Sequence, residues 1–511
     1  MSTITAEAVA DGGRMELTAV QQVSGELTAA YLEHHGLLPL GPGEARYRVA
    51  TWLPDPDIQA LDDLGLLFNA ELELIQFSEE EVRSAIRRVY GAGTVTAEGV
   101  IAGMYGEAGS QGDREIPLDD LVHLANEAPV VKLVNLLVLE ALEARASDVH
   151  LEGYADELRV RYRIDGVLQE APSPPAHLAA AVVSRLKIMA ELDIAERRVP
   201  QDGRIRLRLQ DRQVDVRVAT LPTLHGESVV LRLLDKEQGW GALEELGMAQ
   251  DTLQQFLQAI ARPHGIVLAT GPTGSGKTTT LYAAVERLRT GREKILTVED
   301  PVEYELPGVP QVPVNEKYGV TFASALRALL RQDPDVLLVG EIRDEETAQI
   351  ATHAALTGHL VLSTLHTNDA AGAITRLLDL GVPPYLVGST VEAVLAQRLV
   401  RRVCRSCGEW AEESQATGLS VPEPGEEPLG TVFRGRGCQA CWNTGYRGRT
   451  GVYELLVMDE EIRAAVAHDR TAGELRTLAA QRGMRSLKRD GARVVRVGLT
   501  TPEEVLRACG G

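Results

Sequence analysis

The chain has 511 residues, of which 44% are hydrophobic and 24% are charged. At about 150 residues per domain this length predicts three or four domains, and the composition excludes a chain that is disordered throughout. Lys and Arg number 52 against 73 Asp and Glu, which gives a formal net charge of -21. A charge of this sign opposes binding to DNA, RNA or anionic lipid, so we expect no nucleic-acid partner.

No part of the sequence predicts a membrane span or a secretory signal. The most apolar stretch, residues 130–142, is interrupted by Lys132, Asn135 and Glu140, and the opening MSTITAEAVADGG lacks the basic head and apolar run of a signal peptide. We therefore expect a cytosolic protein. Four of the five cysteines form two C-x-x-C pairs and Cys509 stands alone, a usage that favours metal ligands over disulfides in a reducing compartment.

The first hundred residues predict a small α+β module. A helix is expected from Ser78 to Tyr90, because Ser78 and Glu81 have the spacing of a capping box. Residues 102–116 are rich in Gly and polar residues without apolar periodicity, which predicts a flexible tether. A second amphipathic helix is expected from Pro129 to Ala144.

Two arginine-rich ribbons come next. In ELRVRYRIDGVL and GRIRLRL every second residue is apolar and the residues between are arginines, and Asp165-Gly166 predicts a hairpin turn. Each ribbon therefore has one basic face, which is either a solvated surface with local ion pairs or a surface that meets a phosphate. The basic positions are Arg159, Arg161, Arg163, Arg204, Arg206 and Arg208.

Beyond a linker at residues 235–246, short apolar strands alternate with helical sequence, which predicts an α/β domain. The expected strands are Ile266 to Ala269, Lys294 to Val298, Asp335 to Val339 and Leu360 to Ser363. Near the end of the chain, Thr501-Pro502-Glu503-Glu504 predicts a helix start with a cap, a proline at the first position and a glutamate at the third.

A phosphate-binding loop lies between the first of these strands and a helix. The segment GPTGSGKT fits the pattern G-x-x-x-x-G-K-[ST] and follows the apolar strand GIVLAT. Its glycines allow the backbone N–H groups to point at phosphate oxygens, the lysine meets the β and γ phosphates, and the threonine hydroxyl binds Mg²⁺. The predicted ATP-binding residues are Gly271, Pro272, Thr273, Gly274, Ser275, Gly276, Lys277, Thr278 and Thr279.

Side chains suited to hydrolysis follow the other strands. Glu341 comes directly after the strand DVLLVG and is the predicted catalytic base, because its carboxylate emerges beside the phosphates. Glu299, with Asp300 and Glu303, offers a carboxylate cluster for Mg²⁺ or for the attacking water. His366 follows a further strand and either senses the γ-phosphate or is a packed structural residue.

Cys404-x-x-Cys407 and Cys438-x-x-Cys441 are separated by thirty residues, which is the two-knuckle pattern of a tetrahedral Zn²⁺ site. Four thiolates leave no open coordination position, so the predicted zinc is structural. The alternative is two redox-active pairs.

At these residues the sequence resembles the secretion ATPases of the type II secretion and type IV pilus superfamily. GPTGSGKTTTLY is similar to that family's Walker A motif, TVEDPVEYEL to its aspartate box, RQDPDVLLVGEIRDEETA to its atypical Walker B motif and STLHTNDAAGAITRL to its histidine box. Upstream, RASDVHLE, RYRIDGVL and ERRVPQDGRI resemble the preceding domain of these motors. The resemblance covers residue 118 to the end strongly and the first hundred residues only in outline.

The resemblance implies a multidomain α/β protein, in which a RecA-like P-loop ATPase domain follows a PAS-like α+β domain and a small N-terminal α+β module, with an inserted zinc lobe that has four cysteine ligands. It also implies a homo-hexameric ring in which arginines of the preceding domain neutralise γ-phosphate charge; guanidinium suits this role because it is always charged and binds phosphate in a fork. The candidates are Arg163, Arg198, Arg204 and Arg217. The expected boundaries are 1–100 for a partner-docking module, 101–117 for a linker, 118–236 for the arginine-bearing domain, 237–247 for a second linker and 248–511 for the ATPase domain, with the zinc lobe at 398–450.

The resemblance implies a motor that uses ATP, Mg²⁺ and Zn²⁺ and is peripheral on the inner membrane. It also implies two partners, an inner-membrane platform protein and the cytoplasmic domain of a membrane anchor. The segment VEAVLAQRLVRRVC is similar to the type II secretion branch, whereas nearly every motif is shared with pilus extension motors. Two other classes stay open. A hexameric helicase would need a basic channel with aromatic residues, although aromatics are only 4% of the chain, and a nucleotide-gated scaffold would bind ATP with negligible turnover.

Overall fold

A computed structural model describes residues 27, 29–42, 46–54, 56–68, 70–89, 97, 101, 128–209, 212–235, 239, 241–412, 431–468 and 470–510. The chain divides into two compact units, one of residues 1–115 and 127–137 and one of residues 116–126 and 138–511. The predicted tether at 102–116 lies outside the described residues, and the domain boundaries remain predictions. No helix within the described ranges is long and apolar enough to cross a membrane.

The first unit contains a three-stranded sheet with helices, in agreement with the predicted α+β module. Its helix α3 begins at Glu79, and the predicted capping box is confirmed, because the Glu81 N–H donates to Ser78 Oγ at 3.3 Å and the Ser78 N–H donates to Glu81 Oε2 at 3.0 Å. The elements are α1 (Ala29–His35), β1 (Leu37–Pro42), β2 (Tyr47–Thr51), α2 (Ile58–Phe68), β3 (Leu72–Gln76) and α3 (Glu79–Val89), with sheet order β1-β2-β3. The boundary between the units falls within α4 (Ala128–Glu143).

The second unit begins with a six-stranded antiparallel sheet of order β6-β5-β4-β9-β8-β7. The predicted hairpin is confirmed: Asp165 and Gly166 have φ angles of 49° and 85°, and Ile164 pairs with Val167 across the turn. Positive φ at both central residues is what a two-residue turn needs to follow the twist of its strands. The elements are β4 (Ala146–Gly153), β5 (Leu158–Ile164), β6 (Val167–Glu170), α5 (Ala176–Met189), β7 (Gln201–Leu209), β8 (Arg212–Thr223) and β9 (Gly226–Asp235).

A seven-stranded sheet of order β12-β11-β13-β14-β10-β15-β18 forms the centre of the second unit. Its central strands are buried along their whole length and pair in parallel, as strands do when helices cover both faces. The predicted strands are confirmed to within two residues at either end. The elements of its first part are α6 (Gln250–Ile260), β10 (Gly265–Thr270), α7 (Lys277–Leu288), β11 (Ile295–Glu299), β12 (Gln311–Pro313), α8 (Phe322–Leu329), β13 (Val336–Val339), α9 (Glu345–Leu356), β14 (Leu360–Leu365), α10 (Ala370–Asp379) and α11 (Pro384–Thr390).

The C-terminal part extends this sheet and adds four helices. Buried valines of β15 and β18 pack on the last two helices, for example Val400 and Val452 on Val494 and Val505. The elements are β15 (Val391–Val403), β16 (Gly408–Glu412), β17 (Thr431–Gly435), β18 (Tyr446–Val457), α12 (Glu460–Ala467), α13 (Ala472–Gln481), α14 (Leu487–Arg496) and α15 (Pro502–Cys509).

The start of α15 differs from the sequence prediction. Proline occupies the first helical position as expected, but Thr501 makes no side-chain capping hydrogen bond. The carboxylate of Glu504 is drawn away, because Arg401 of the neighbouring strand and Arg507 donate to it at 2.5 and 2.8 Å. The Thr501 hydroxyl lies 2.9 Å from the Tyr446 hydroxyl instead.

We expect Glu504 to support stability at neutral pH and to lose this effect in acid. Burial acts to raise the pKa of Glu504, but the hydrogen bonds from Arg401 and Arg507 prevail and lower it from 4.5 to about 2. Because the folded pKa lies below the unfolded one, the contribution is complete above about pH 4.5 and is lost as the pH falls towards 2. In acid-unfolding curves Glu504→Gln should be destabilised at pH 7 and should converge on the wild type near pH 2, whereas the exposed control Glu412→Gln should follow the wild type throughout.

Candidate nucleotide site

The phosphate loop lies between β10 and α7, at the carboxyl edge of the parallel sheet. Gly271, Gly274 and Gly276 have φ angles of 149°, 78° and 87°, which residues other than glycine rarely adopt. Gly271 is also crowded: a Cβ there would lie 2.6 Å from the carbonyl oxygen of Gln397 and 2.7 Å from Ser275 Oγ. The loop backbone therefore rests on β15 and leads directly into the N-terminus of a twelve-residue helix, where N–H groups are free to bind an anion.

Lys277 is buried in this loop, and no carboxylate of the described residues is bonded to it. Its ammonium group donates to the carbonyl oxygens of Gly271 at 2.7 Å and Pro272 at 3.1 Å. Burial lowers its pKa to about 8, partly offset by the negative charge of Glu341. Ser275 Oγ beside it is buried and has no hydrogen-bond partner. Within the described residues, a buried cation bonded to carbonyl oxygens, an unsatisfied hydroxyl and the N-terminus of a helix come together here, and this combination fits a phosphate chain.

Glu341 and His366 meet at the ends of two adjacent strands, β13 and β14. The His366 Nε2 to Glu341 Oε2 distance is 3.5 Å, and Arg343 Nη2 donates to Glu341 Oε1 at 2.5 Å. Burial, with a smaller contribution from the charge of Lys277, lowers the pKa of His366. The imidazole is therefore neutral at physiological pH and has one donor and one acceptor nitrogen.

The predicted carboxylate cluster of Glu299, Asp300 and Glu303 is not formed. Glu299 is buried and accepts hydrogen bonds from Thr297 Oγ1 at 2.7 Å, from Gln311 Nε2 at 2.9 Å and from the Tyr282 hydroxyl. The other two carboxylates face arginines, Asp300 at 3.9 Å from Arg343 and Glu303 at 3.5 Å from Arg217. Within the described part of the chain, only the four cysteines form a group of three or more residues suited to hold a metal ion.

Three of the four candidate arginines lie in one row across the six-stranded sheet. The register pairs Arg163 with Asp148, Asp148 with Arg232, Arg232 with Arg217 and Arg217 with Arg204. Directly opposed residues of antiparallel strands project from the same face. Five neighbouring strands thus present four guanidinium groups and one carboxylate, which we call the arginine row.

The arginine row borders open space on two sides. A cavity of about 430 Å³ is lined by Arg204, Arg217 and Arg232, and one of about 810 Å³ extends from Arg204 and Arg217 to Tyr304. Asp148 is the common partner of Arg232 and Arg163, at 3.0 and 3.8 Å. Glu303 lies 3.5 Å from Arg217, so two carboxylates face four guanidinium groups and the row keeps a net positive charge.

Arg198, the fourth candidate arginine, does not belong to the arginine row. It is 87% exposed at its side chain and pairs with Glu196 at 2.8 Å. Arg232 was not among the candidates from sequence, because it is a single arginine flanked by apolar residues and only the strand register reveals its neighbours. Among the described contacts, none of these arginines bonds to the phosphate loop of its own chain.

Comparison with known proteins assigns the family. Residues 123–507 match the family model described as type II/IV secretion system protein, and residues 15–96 match the MshEN domain. The chain belongs to the type II/IV secretion system protein family. The family and the fold class predicted from sequence are confirmed, and the chain is a P-loop ATPase.

Relatives agree with this assignment, and a solved structure supports the fold. The type II secretion system protein E of Xanthomonas campestris pv. campestris is 49% identical over 486 residues, covering 94% of this chain and 84% of the relative. The type II secretion system ATPase E of Vibrio cholerae is 45% identical, with coverages of 89% and 91%, and the type IV pilus assembly ATPase PilB of Myxococcus xanthus is 44% identical, with 93% and 84%. The crystal structure of the Legionella pneumophila ATPase DotB aligns with a TM-score of 0.55 at 21% identity, covering 73% of this chain and 94% of that one, and supports the fold.

The four cysteines of the predicted zinc site lie close together in the structure. Sulfur to sulfur distances are 3.9 Å for Cys404 and Cys438, 3.8 Å for Cys407 and Cys441, and 3.7 Å for Cys438 and Cys441. Four sulfurs at about 2.3 Å from a central Zn²⁺ in a tetrahedron are about 3.8 Å apart. A disulfide would need about 2.05 Å. The cluster therefore fits a closed metal site rather than two redox pairs.

Backbone donors support the same cysteines. The Cys438 and Gly445 N–H groups donate to Cys441 Sγ at 3.2 and 3.3 Å. Burial acts to raise the pKa of Cys441, but these N–H groups and neighbouring thiols lower it to about 7. N–H donors stabilise thiolates, the form in which cysteine binds a metal.

Proposed function

We propose that the chain is the ATP-hydrolysing motor of a type II secretion system, a hexamer that acts at the cytoplasmic face of the inner membrane and powers pseudopilus assembly and protein export. The observation that supports hydrolysis most directly is the convergence of Lys277, Glu341 and His366 at one edge of the sheet. The type II secretion names of close, nearly full-length relatives support the choice of branch.

In this proposal the phosphate loop binds the triphosphate, and Lys277 moves from the carbonyl oxygens of Gly271 and Pro272 to the β and γ phosphates. Residues Thr273 to Thr279 contribute N–H groups and hydroxyls, and Pro272 shapes the loop without a donor of its own. Thr278, exposed at the N-terminus of α7, would hold Mg²⁺ through its hydroxyl. When bound, Mg²⁺ neutralises developing charge on the β and γ phosphate oxygens.

Glu341 is the proposed base. It accepts a proton from the water that attacks the γ-phosphorus while the bond to the bridging oxygen of ADP breaks. Arg343 and His366 already hold both carboxylate oxygens of Glu341, and His366 senses the γ-phosphate. Glu299 keeps a positioning role, because its hydrogen bonds tie α7 to β11 and β12.

The arginine row is proposed to neutralise the γ-phosphate when the six-stranded domain and the ATPase domain close on a nucleotide, with domain movement as the output of hydrolysis. The row offers four always-charged groups on a rigid sheet, and phosphate satisfies forked guanidinium donors well. Arg204, Arg217 and Arg163 are preferred over Arg198, because Arg198 lies outside the row and its side chain is 87% exposed.

Partners are proposed from the family resemblance. They are an inner-membrane platform protein and the cytoplasmic domain of a membrane anchor, the latter engaging the first unit, and they hold the hexamer at the membrane. Pilus extension is the second candidate, because a PilB relative is 44% identical over most of the chain.

Cells that encode the chain can separate these two functions. Replacing Lys277 by Ala in the chromosome should leave exported proteins in the periplasm, with surface pili present as in the wild type. An exposed control on the same helix, Glu286→Gln, should export normally. Loss of pili with normal export would contradict type II secretion and favour the pilus motor.

We also propose that the four cysteines bind one structural Zn²⁺. Purified protein should contain about one zinc per chain, and removing zinc with a chelator should lower the thermal midpoint by several degrees, because the closed site fixes a lobe built on two short strands. Cys438→Ser should behave like the chelated wild type. The nearby control Cys509→Ser should retain zinc, and a metal-free protein of unchanged stability would contradict the assignment.

A further inference from the structure

The loop after β14, residues 366–369, is fixed on one side by the last residue before the phosphate loop. Thr270 is fully buried, and its Oγ1 accepts a hydrogen bond from the Thr367 N–H at 3.0 Å and lies 2.7 Å from Thr367 Oγ1. The same hydroxyl approaches the carbonyl oxygen of Leu365 at 3.1 Å. Thr270 is thus hydrogen-bonded to the residues immediately before and after His366.

The other side of this loop is fixed by Arg398 of β15. Its Nη2 donates to the carbonyl oxygen of Asn368 at 2.8 Å, and its Nη1 donates to that of Gln397 at 3.1 Å. Nη1 is also 3.1 Å from the position that a Cβ on Gly271 would occupy. Arg398 therefore links β15 to the loop that carries His366 and lies beside Gly271 at the base of the phosphate loop.

Arg398 holds this position without a carboxylate. Within the described residues no Asp or Glu oxygen lies within 4 Å of its guanidinium group, which is half-buried. Burial alone would favour an ion pair, since an unpaired cation out of water is costly. Carbonyl oxygens take that place, and a planar fork with five N–H groups is the side chain that can bond two separate carbonyls at once.

We propose that Thr270 and Arg398 are positioning residues that fix the orientation of His366 relative to Glu341 and to the phosphate loop. The inference rests on the proposed ATP hydrolysis and extends it to residues outside the phosphate loop and the strand ends. The side chain of His366 is 50% exposed, so its own packing does not fix it. Thr270 ends β10, which leads into the phosphate loop, and Arg398 lies on β15, against which that loop packs, so a shift of the loop on nucleotide binding is transmitted to the imidazole.

Kinetics of single variants test the two anchors. Thr270→Val, which keeps the shape without the hydroxyl, and Arg398→Gln should each lower kcat by about 10- to 100-fold, the scale expected when a reacting group is displaced by about 1 Å. The dissociation constant of a non-hydrolysable ATP analogue should change by less than about threefold. Thr270→Ser and Arg402→Gln, on the same strand as Arg398, are the matched controls and should keep near wild-type kcat. Arg398→Lys keeps the charge but not the fork and should behave like Arg398→Gln.

Repeating both substitutions in His366→Ala protein separates positioning from other roles. If the anchors act through His366, Thr270→Val and Arg398→Gln will cause no further loss beyond about twofold in that background. If the two substitutions lower kcat in the His366→Ala protein as much as they do in the wild type, the proposal is overturned. It is also overturned if Arg398→Gln weakens analogue binding and leaves kcat unchanged, because Arg398 would then be a phosphate ligand. Folding is checked by thermal melting, and Arg398→Gln, at a half-buried site, provides the test if Thr270→Val does not fold. An inactive wild type would contradict ATP hydrolysis itself, whereas an active wild type with unaffected variants would contradict only this inference.

Discussion

Replacing Glu341 by Gln will lower the rate of phosphate release by about 10²- to 10⁴-fold while ATP still binds, because the substitution removes only the group that accepts the proton of water. The amide keeps the size of the side chain beside Arg343 and His366. Lys277→Ala should have a different effect, the loss of ATP binding itself, because it removes the buried ammonium group that meets the phosphates.

The measurement is steady-state phosphate release together with the dissociation constant of a fluorescent ATP analogue. Glu345→Gln, exposed at the start of α9, is the matched control and should keep the wild-type rate. A Glu341→Gln protein as active as the wild type would remove Glu341 as the base. Equal rates near zero in both proteins would favour a nucleotide-gated scaffold over a motor.

Neutralising the centre of the arginine row is the second large effect that we expect. Arg217→Gln and Arg204→Gln together should lower kcat by about 10³-fold, the lower end of what a single arginine aimed at a transferring phosphoryl group contributes. Arg217 also bonds to the carbonyl oxygen of Val302 at 3.3 Å and lies 3.5 Å from Glu303, so it already contacts the segment after β11. Its contribution should exceed that of Arg204.

Arg198→Gln is the control for each single substitution, because it removes one positive charge from an exposed site outside the row. It should retain most of the wild-type rate. Equal losses for Arg198→Gln and for the double variant would show a general effect of charge, and the row would have no specific role. Raising the salt concentration in all assays distinguishes long-range attraction from direct contact, since only the former is screened.

The parts of this fold that could be predicted from sequence are those set by neighbours along the chain. The phosphate loop, the Asp165-Gly166 turn and the buried strands depend on glycine positions and on runs of apolar residues, and each lies where the pattern put it. The family motifs then predicted the order of the domains, which stays a prediction.

Features that depend on contacts between distant segments could not be predicted in this way. Arg163 and Arg204 come from strands far apart in the chain, and only the pairing through Asp148, Arg232 and Arg217 brings them into one row. Glu299 looked like a free carboxylate at a strand end, yet its three partners come from α7, β11 and the segment at Gln311. The direction of a side chain at a strand end is decided by such partners and not by its position in a motif.

A structure with bound Mg²⁺ and a non-hydrolysable ATP analogue tests the proposed coupling most directly. We expect Lys277 Nζ to have left the carbonyl oxygens of Gly271 and Pro272 for the β and γ phosphates, and at least one guanidinium group of the arginine row to lie within about 4 Å of a γ-phosphate oxygen. If every guanidinium group of the row stays more than about 10 Å, a Debye length at 0.1 M salt, from every triphosphate in all copies of the chain, the row does not sense the nucleotide and the proposed motor mechanism is wrong.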